Sequence, residues 1–71
     1  MLGVIERVSG RLMAERFESS PGGWAAAYEL RDATQRKMLA NGYDLTTYRL
    51  AVIDIRPGDK FQGIFRFDEK E

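Results

Sequence analysis

Residues 48–55, YRLAVIDI, constrain the fold of this chain more than any other segment. Their side chains alternate as in a β-strand, yet aliphatic residues occur on both faces. Residues 60–67 show a second strand pattern, and the four residues 56–59, RPGD, are typical of a turn. The sequence therefore predicts a C-terminal β-hairpin over residues 47–67.

The register of this hairpin decides which side chains enter the core. Pairing Ile55 with Lys60 across the turn would set Leu50 opposite Phe65. One face would then carry the core residues Tyr48, Leu50, Val52, Phe61, Phe65 and Phe67. The other would carry Arg49, Ala51, Ile53, Ile55, Lys60, Gln62, Ile64 and Arg66. A bulge at Gly58 would shift the register and move the isoleucines of the first strand to the phenylalanine face.

In either register, one strand keeps apolar side chains on a face that the aromatic residues leave uncovered. Exposed apolar surface on a small domain is typical of an interface, and aliphatic residues mixed with arginine are common in interface cores. The helix or the N-terminal strands could instead cover this face within the monomer. We predict a candidate interface formed by Arg49, Ile53, Ile55, Ile64 and Arg66.

The N-terminal residues 3–17 permit two interpretations. A helix would align several apolar residues on one stripe, but it would place Gly10 in its interior at a cost of about 1 kcal/mol relative to alanine. Two strands would instead use Ser9 and Gly10 as a short turn. We therefore favour a hairpin, followed by a break in the chain at residues 19–23, SSPGG.

Residues 24–42 also permit two interpretations. Large apolar residues alternate with small or charged ones over residues 24–31, which predicts a strand. Asp32 has a glutamine three residues later, as in a capping box, and Asn41-Gly42 is a typical helix end, so a short helix is predicted over 33–41. The main alternative is one long helix over 24–41, favoured by the propensity of its alanines and long side chains.

These elements predict a small α+β fold in the order β-β-β-α-β-β, with five antiparallel strands and one short helix. This order matches a five-stranded barrel of the oligonucleotide/oligosaccharide-binding (OB) type, and an open sheet with the helix across one face fits nearly as well. The length of 71 residues predicts a single domain over 1–71, with 68–71, DEKE, as a solvated tail.

The composition argues against an enzyme. The chain has no cysteine and no histidine, which excludes disulfides, the usual zinc ligands and the commonest general base. Asp54 is the only acid within the apolar strand, so its pKa could be raised, although contact with solvent or an arginine is the simpler expectation. We predict no catalytic residue, no cofactor and no metal site.

Charge and hydropathy limit the classes of partner that we expect. Eleven basic and eleven acidic residues cancel, whereas nucleic-acid-binding proteins usually carry a basic stripe. No apolar leader precedes Glu6, and no run of about 20 apolar residues occurs, so we expect a soluble, cytoplasmic protein without membrane contact. Small scaffolds without disulfides or metals often gain stability by self-association, so a homodimer is one expected assembly.

The sequence thus predicts a small, non-enzymatic domain that acts through protein–protein contacts. An accessory regulator or inhibitor, of the kind that mobile elements and bacteriophages encode, would suit this size. The alternative is a single-stranded nucleic-acid-binding domain on an OB-like barrel, with bases stacked on exposed aromatic side chains.

Overall fold

The structure of the protein is a computed structural model, which describes residues 1–66. Within this range, three antiparallel strands form one open sheet, and one helix packs on it. The elements in chain order are β1 (Leu2–Glu6), β2 (Arg11–Leu12), α1 (Pro21–Ala40) and β3 (Leu50–Asp54). The strand order is β2-β1-β3, so the first strand of the chain lies in the centre of the sheet.

The first two strands form a hairpin, which confirms the two-strand interpretation of the N-terminus. Glu6 pairs with Arg11, and Gly10 completes the turn with φ of 71°, a backbone conformation that favours glycine. Only two residues of the second strand are regular. The chain nevertheless stays beside β1, since the Met13 amide donates to the Val4 carbonyl at 2.8 Å.

β3 pairs with the other edge of β1 along its full length. The register sets Val4 opposite Val52 and Glu6 opposite Leu50. Leu2 and Val4 have no exposed surface, so the centre of the sheet is also the centre of the core. Because this pairing joins residues about 50 apart in sequence, the sheet depends on a long-range contact rather than on a local hairpin.

The helix begins where the sequence changes from serine to proline. The Ser20 hydroxyl accepts a hydrogen bond from the Gly23 amide at 3.1 Å, and Pro21 occupies the first helical turn, where its missing N–H costs nothing. Gly23 lies so close to the preceding chain that a Cβ there would collide with the Glu18 carbonyl oxygen. The helix ends at Asn41, and Gly42 follows with φ of 82°.

One stripe of α1 packs on the sheet. Its buried residues Ala27, Thr34 and Met38 follow the spacing of one helical face. Met38 packs in a cluster with Val4 and Leu50, so the helix covers the face of the sheet that carries the even-numbered residues of β1 and β3. The rest of this core consists of Met13 with partly buried Leu30, Tyr43, Leu45, Val52 and Phe65.

The predicted order of five strands, and with it the OB-like barrel, is wrong. The described residues contain three strands in an open sheet, and the C-terminal hairpin predicted over 47–67 does not form. The predicted turn is present, since the Arg56 amide donates to the Asp59 carboxylate at 2.9 Å, but the chain does not fold back along β3. Instead, Ile64 forms a parallel bridge with Leu12 at the far edge of the sheet.

The physical reason is competition for one strand. β1 is largely buried and mostly apolar, and it offers β3 five paired residues, whereas residues 60–66 are mostly exposed and offer β3 less buried contact. Phe67 and the predicted tail over 68–71 lie outside the described residues.

The predicted strand over 24–31 and short helix over 33–41 are also wrong, because α1 is the long-helix alternative. The alternation of Trp24, Ala26, Tyr28 and Leu30 does not reflect two faces of a strand. Helix capping by Ser20 and the helix propensity of the alanines outweigh it.

Candidate functional site

The outer edge of β3 carries backbone groups that have no hydrogen-bond partner among residues 1–66. At the two ends of the β1–β3 ladder, the Ile55 amide donates to the Met1 carbonyl at 2.7 Å, and the Arg7 amide donates to the Arg49 carbonyl at 2.8 Å. Odd-numbered residues of β3 therefore bond to β1, since antiparallel ladders alternate. The N–H and C=O groups of Leu50, Val52 and Asp54 point away from β1, and none has a hydrogen-bond partner within residues 1–66.

The side chains on this edge range from buried to exposed. Leu50 lies in the core and Val52 is partly buried, so both belong to the helix-covered face. Asp54 closes the strand with an exposed carboxylate, which lies 3.3 Å from the N-terminal ammonium and 3.5 Å from the Ser19 hydroxyl. Asp54 is therefore not a buried acid, in line with the simpler of its two expectations.

A second exposed feature lies on α1. The rings of Trp24 and Tyr28 stack with centroids 5.9 Å apart, although 39% and 42% of these residues remain exposed. The Arg31 guanidinium lies 4.8 Å from the centre of the Tyr28 ring and also bonds the Asp32 carboxylate at 2.8 Å. We call the three residues Trp24, Tyr28 and Arg31 the Trp24 flank.

The Trp24 flank lies on the side of α1 that faces the outer edge of β3. The helix lies over β1 and β3 but not over β2. Its opposite flank, with Leu30 and Lys37, faces the groove beside Met13 at the β2 side of the molecule. Since the two flanks are separated around the helix by about 100° or more, the Trp24 flank lies on the β3 side of α1. Together, the outer edge of β3 and the Trp24 flank form what we call the edge surface.

A buried carboxylate, that of Glu6, fixes the start of β3. Glu6 is 1% exposed and accepts hydrogen bonds from the amides of Val8, Ser9 and Arg49 at 3.0, 2.8 and 3.1 Å. Burial acts to raise the pKa of Glu6, but these amides and the Ser9 hydroxyl outweigh it and hold the pKa below its ordinary value of 4.5. Glu6 thus acts as a structural anion that ties the β1–β2 turn to the start of β3.

The opposite side of the molecule holds a groove of about 370 Å³. It is lined by Met13, Ala14, Glu15, Leu30, Thr34, Lys37, Ile64, Phe65 and Arg66. Its lining residues include one acidic side chain, Glu15, and two basic ones, Lys37 and Arg66. The groove lies directly beside Arg66, where the described chain ends.

The structure does not bring the predicted interface residues into one patch. Arg49, Ile53 and Ile55 lie along β3 or beside its ends, and the two isoleucines are on the face opposite the helix. Ile64, which is 51% exposed, lies beyond β2, about 14 Å away across three strand spacings, and lines the groove. Arg66 lines the groove on the helix side. Whether these residues form an interface stays a prediction.

Sequence reasoning missed the Trp24 flank because it assigned residues 24–31 to a strand. The signal that could have identified it is the spacing of Trp24, Tyr28 and Arg31, which align on one side of a helix. Ser20 followed by Pro21 was the accompanying sign of a helix start.

Comparison with known proteins identifies no relative. No protein-family model, no curated protein and no solved structure matches the chain. Among residues 1–66, no helix is long and apolar enough to cross a membrane. The same residues contain no group of three or more acidic side chains placed to hold a metal ion.

Proposed function

We propose that this chain is a small, non-enzymatic protein-binding domain that acts through the edge surface. The observation that carries the proposal is the outer edge of β3, where three successive outward-facing residues leave both backbone groups without partners among the described residues. Natural proteins usually protect such edges with charge, proline or a covering segment, because an unprotected edge pairs readily with another strand.

The composition of β3 supports this proposal. The strand, LAVID, contains one charged residue, which lies at its end, and no proline. An extended partner strand could therefore gain main-chain hydrogen bonds from Leu50, Val52 and Asp54, as in β-strand addition. The stacked Trp24 and Tyr28 rings above the same edge would add aromatic contact, the residue class most enriched at interfaces.

Affinity capture from the cells of origin tests the proposal with two variants of one residue. Val52→Pro removes the outward N–H without touching the ladder to β1, since prolines are tolerated in edge strands where the N–H faces solvent. Val52→Ala is the matched control, because it trims the side chain but keeps the amide. We expect a partner that binds the wild type and V52A but not V52P. A partner retained by all three proteins would show that another surface binds it.

Single-stranded nucleic acid is the second candidate ligand, now without the barrel that the sequence predicted. The observation in its favour is the exposed Trp24–Tyr28 stack beside Arg31, since single-strand binders stack bases on aromatic rings next to cations. The ion pair of Arg31 with Asp32 and the zero net charge oppose it. Titration with labelled single strands at about 50 mM salt would reveal this binding, and its absence would remove the candidate.

The proposal includes two expectations from the sequence. A regulatory or inhibitory role of the kind encoded by mobile elements and bacteriophages is supported by the small size alone. A cytoplasmic location is supported by the lack of cysteine.

A further inference from the structure

We propose that the partner of the edge surface is a second copy of this chain, joined by antiparallel pairing of β3 with β3 across a two-fold axis at Val52. This inference rests on the proposed function, because it uses the same surface. It predicts one six-stranded sheet with both helices on the same face.

The hydrogen-bonding pattern of β3 is complementary to itself. Under this symmetry, Val52 pairs with Val52 of the second copy, and Leu50 pairs with its Asp54. Each of these residues directs its N–H and C=O outward, so every pair places donors opposite acceptors. A two-fold axis requires one patch to match itself, and here the outward residues meet only other outward residues.

The two faces of the joined sheet would also match. On the helix-covered face, Val52 would meet its own copy next to Leu50, and both already belong to or border the core. On the opposite face, Ile53 would lie opposite Ala51, and Ile55 would lie opposite Arg49, whose aliphatic stem can cover it. Three of the predicted interface residues would thus lie at this seam.

The geometry leaves room for the helices to pack above the seam. Strands lie about 4.8 Å apart, and α1 lies over β1 and β3, so its axis would be about 5 Å from the symmetry axis. The two helices would then be about 10 Å apart, which is close to the usual packing distance. The Trp24 flank of each copy would lie between them.

Charge complementarity favours a second copy over an unrelated strand. Two-fold symmetry makes the two helices antiparallel. Two adjacent residues of opposite charge near the middle of the flank would therefore each face the oppositely charged residue of the other copy. Arg31 of one copy would face Asp32 of the other, and the reverse contact would form across the axis. The same register brings Trp24 near Leu39, an apolar residue that is 56% exposed in the monomer. Zero net charge removes repulsion between the copies.

Sedimentation over a wide concentration range, with the full chain, tests whether the dimer forms. We expect a reversible dimer in the wild type and at least about a tenfold weaker one in Trp24→Ser. The matched control is Val8→Ser, since Val8 is 68% exposed but lies in the β1–β2 turn and not on β3 or α1. Thermal melting would verify that each variant is folded. Equal weakening by both serine variants would overturn the inference.

A charge exchange tests the register. A mixture of Arg31→Asp and Asp32→Arg combines one chain with two anions at the seam and one with two cations. Native mass spectrometry should show the mixed dimer favoured at least about tenfold over either homodimer. The control mixture, Arg36→Asp with Glu29→Arg, has the same net charges on the outer side of α1. The same preference in the control mixture would show that the proposed contact is wrong.

The outcomes also separate this inference from the proposed function. A strictly monomeric chain with an edge-dependent partner in the capture experiment would overturn the second copy and leave the proposed function intact. A strict monomer without any edge-dependent partner would overturn both. A dimer insensitive to Val52→Pro and Trp24→Ser would overturn this seam.

Discussion

The two edges of the sheet differ in what covers them. At the β2 edge, the C-terminal residues complete the hydrogen bonds, since the Leu12 amide donates to the Gly63 carbonyl at 3.0 Å and the Phe65 amide donates to the Leu12 carbonyl at 2.9 Å. At the β3 edge, no described residue does so for Leu50, Val52 or Asp54. Within residues 1–66, one edge is closed by the chain itself, and the other is open.

The path of the chain explains this difference. β3 ends at one edge of the sheet. The chain then crosses to the other edge, where the Gln62 amide donates to the Gly10 carbonyl. The seven residues 56–62 can span about 23 Å, whereas three strand spacings require about 14 Å. The turn at Arg56 and Asp59 therefore directs the chain across the molecule instead of back along β3. The described residues thus cover the edge that holds the shortest strand, β2, and leave the edge of the five-residue strand β3 uncovered.

The largest loss of stability is expected from a substitution at the start of α1, the helix that lies above the open edge. Gly23→Ala would push a Cβ into the Glu18 carbonyl, and backbone would have to move, so we expect a loss of about 3 kcal/mol or more. Gly22→Ala is the control, because nothing lies within 4 Å of its Cβ position. It should be neutral or stabilise by up to about 1 kcal/mol. Urea unfolding measures both, and equal losses would contradict the close approach.

Glu6 should give the next largest effect, because it ties the start of β3 to the opposite hairpin. Glu6→Ala leaves the amides of Val8, Ser9 and Arg49 without an acceptor, so we expect a loss of about 3 kcal/mol in the free energy of unfolding.

Glu6 also predicts that the stability of the protein depends on pH in the acidic range. Its pKa is lowered by folding, so the stabilisation is full above the ordinary value of 4.5 and is lost as pH falls through the lower folded pKa.

Unfolding measured across acidic pH checks this dependence. Glu6→Gln should flatten the decline of stability below pH 4.5 relative to the wild type. Asp44→Asn is the matched control, because the pKa of Asp44 is also lowered by folding, through bonds from Thr46 and Thr47, but its side chain is exposed. An unchanged slope in Glu6→Gln would mean that Glu6 is not the titrating group.

The stability of the protein at the closed edge should depend more on Phe65 than on its neighbour Ile64. Phe65 packs on the core from the β2 side, so Phe65→Ala should cost about 2 kcal/mol. Ile64→Ala should cost about 0.5 kcal/mol or less, because Ile64 is half exposed. Similar losses from both substitutions would show that the C-terminal residues do not close this edge as described.

The sequence predicted the residues of β3 but not their partner. Alternation identifies a strand at Leu50–Asp54 because burial acts on each residue locally. Strand pairing depends on which other strand offers more buried contact, and that comparison involves Leu2 and Val4, nearly 50 residues away. The turn chemistry of residues 56–59 was correct, yet a turn does not oblige the flanking residues to pair.

The candidate site was predictable only in part. Alternation predicted apolar residues on both faces of β3, and Ile53 and Ile55 do lie on its helix-free face, but their role in an interface stays a prediction. The Trp24 flank could not be found once its residues had been assigned to a strand, because alternation and helical spacing place Arg31 on different sides. Whether an edge of the sheet is open depends on the path of the whole chain, so no local sequence pattern predicts it.

Amide exchange compares the two edges directly and is expected to show the smallest difference in free energy. In dilute solution, the outward amide of Val52 should exchange at least about tenfold faster than the bonded amides of Leu12 and Phe65. Raising the concentration should slow exchange at Val52 and leave the other two amides unchanged, because the proposed dimer would cover only the open edge. NMR measures all three amides in one sample, so the closed edge is its own control. Equal protection of Val52 and Phe65 in dilute solution would show that the β3 edge is not open, and the edge surface would then lose the observation on which it rests.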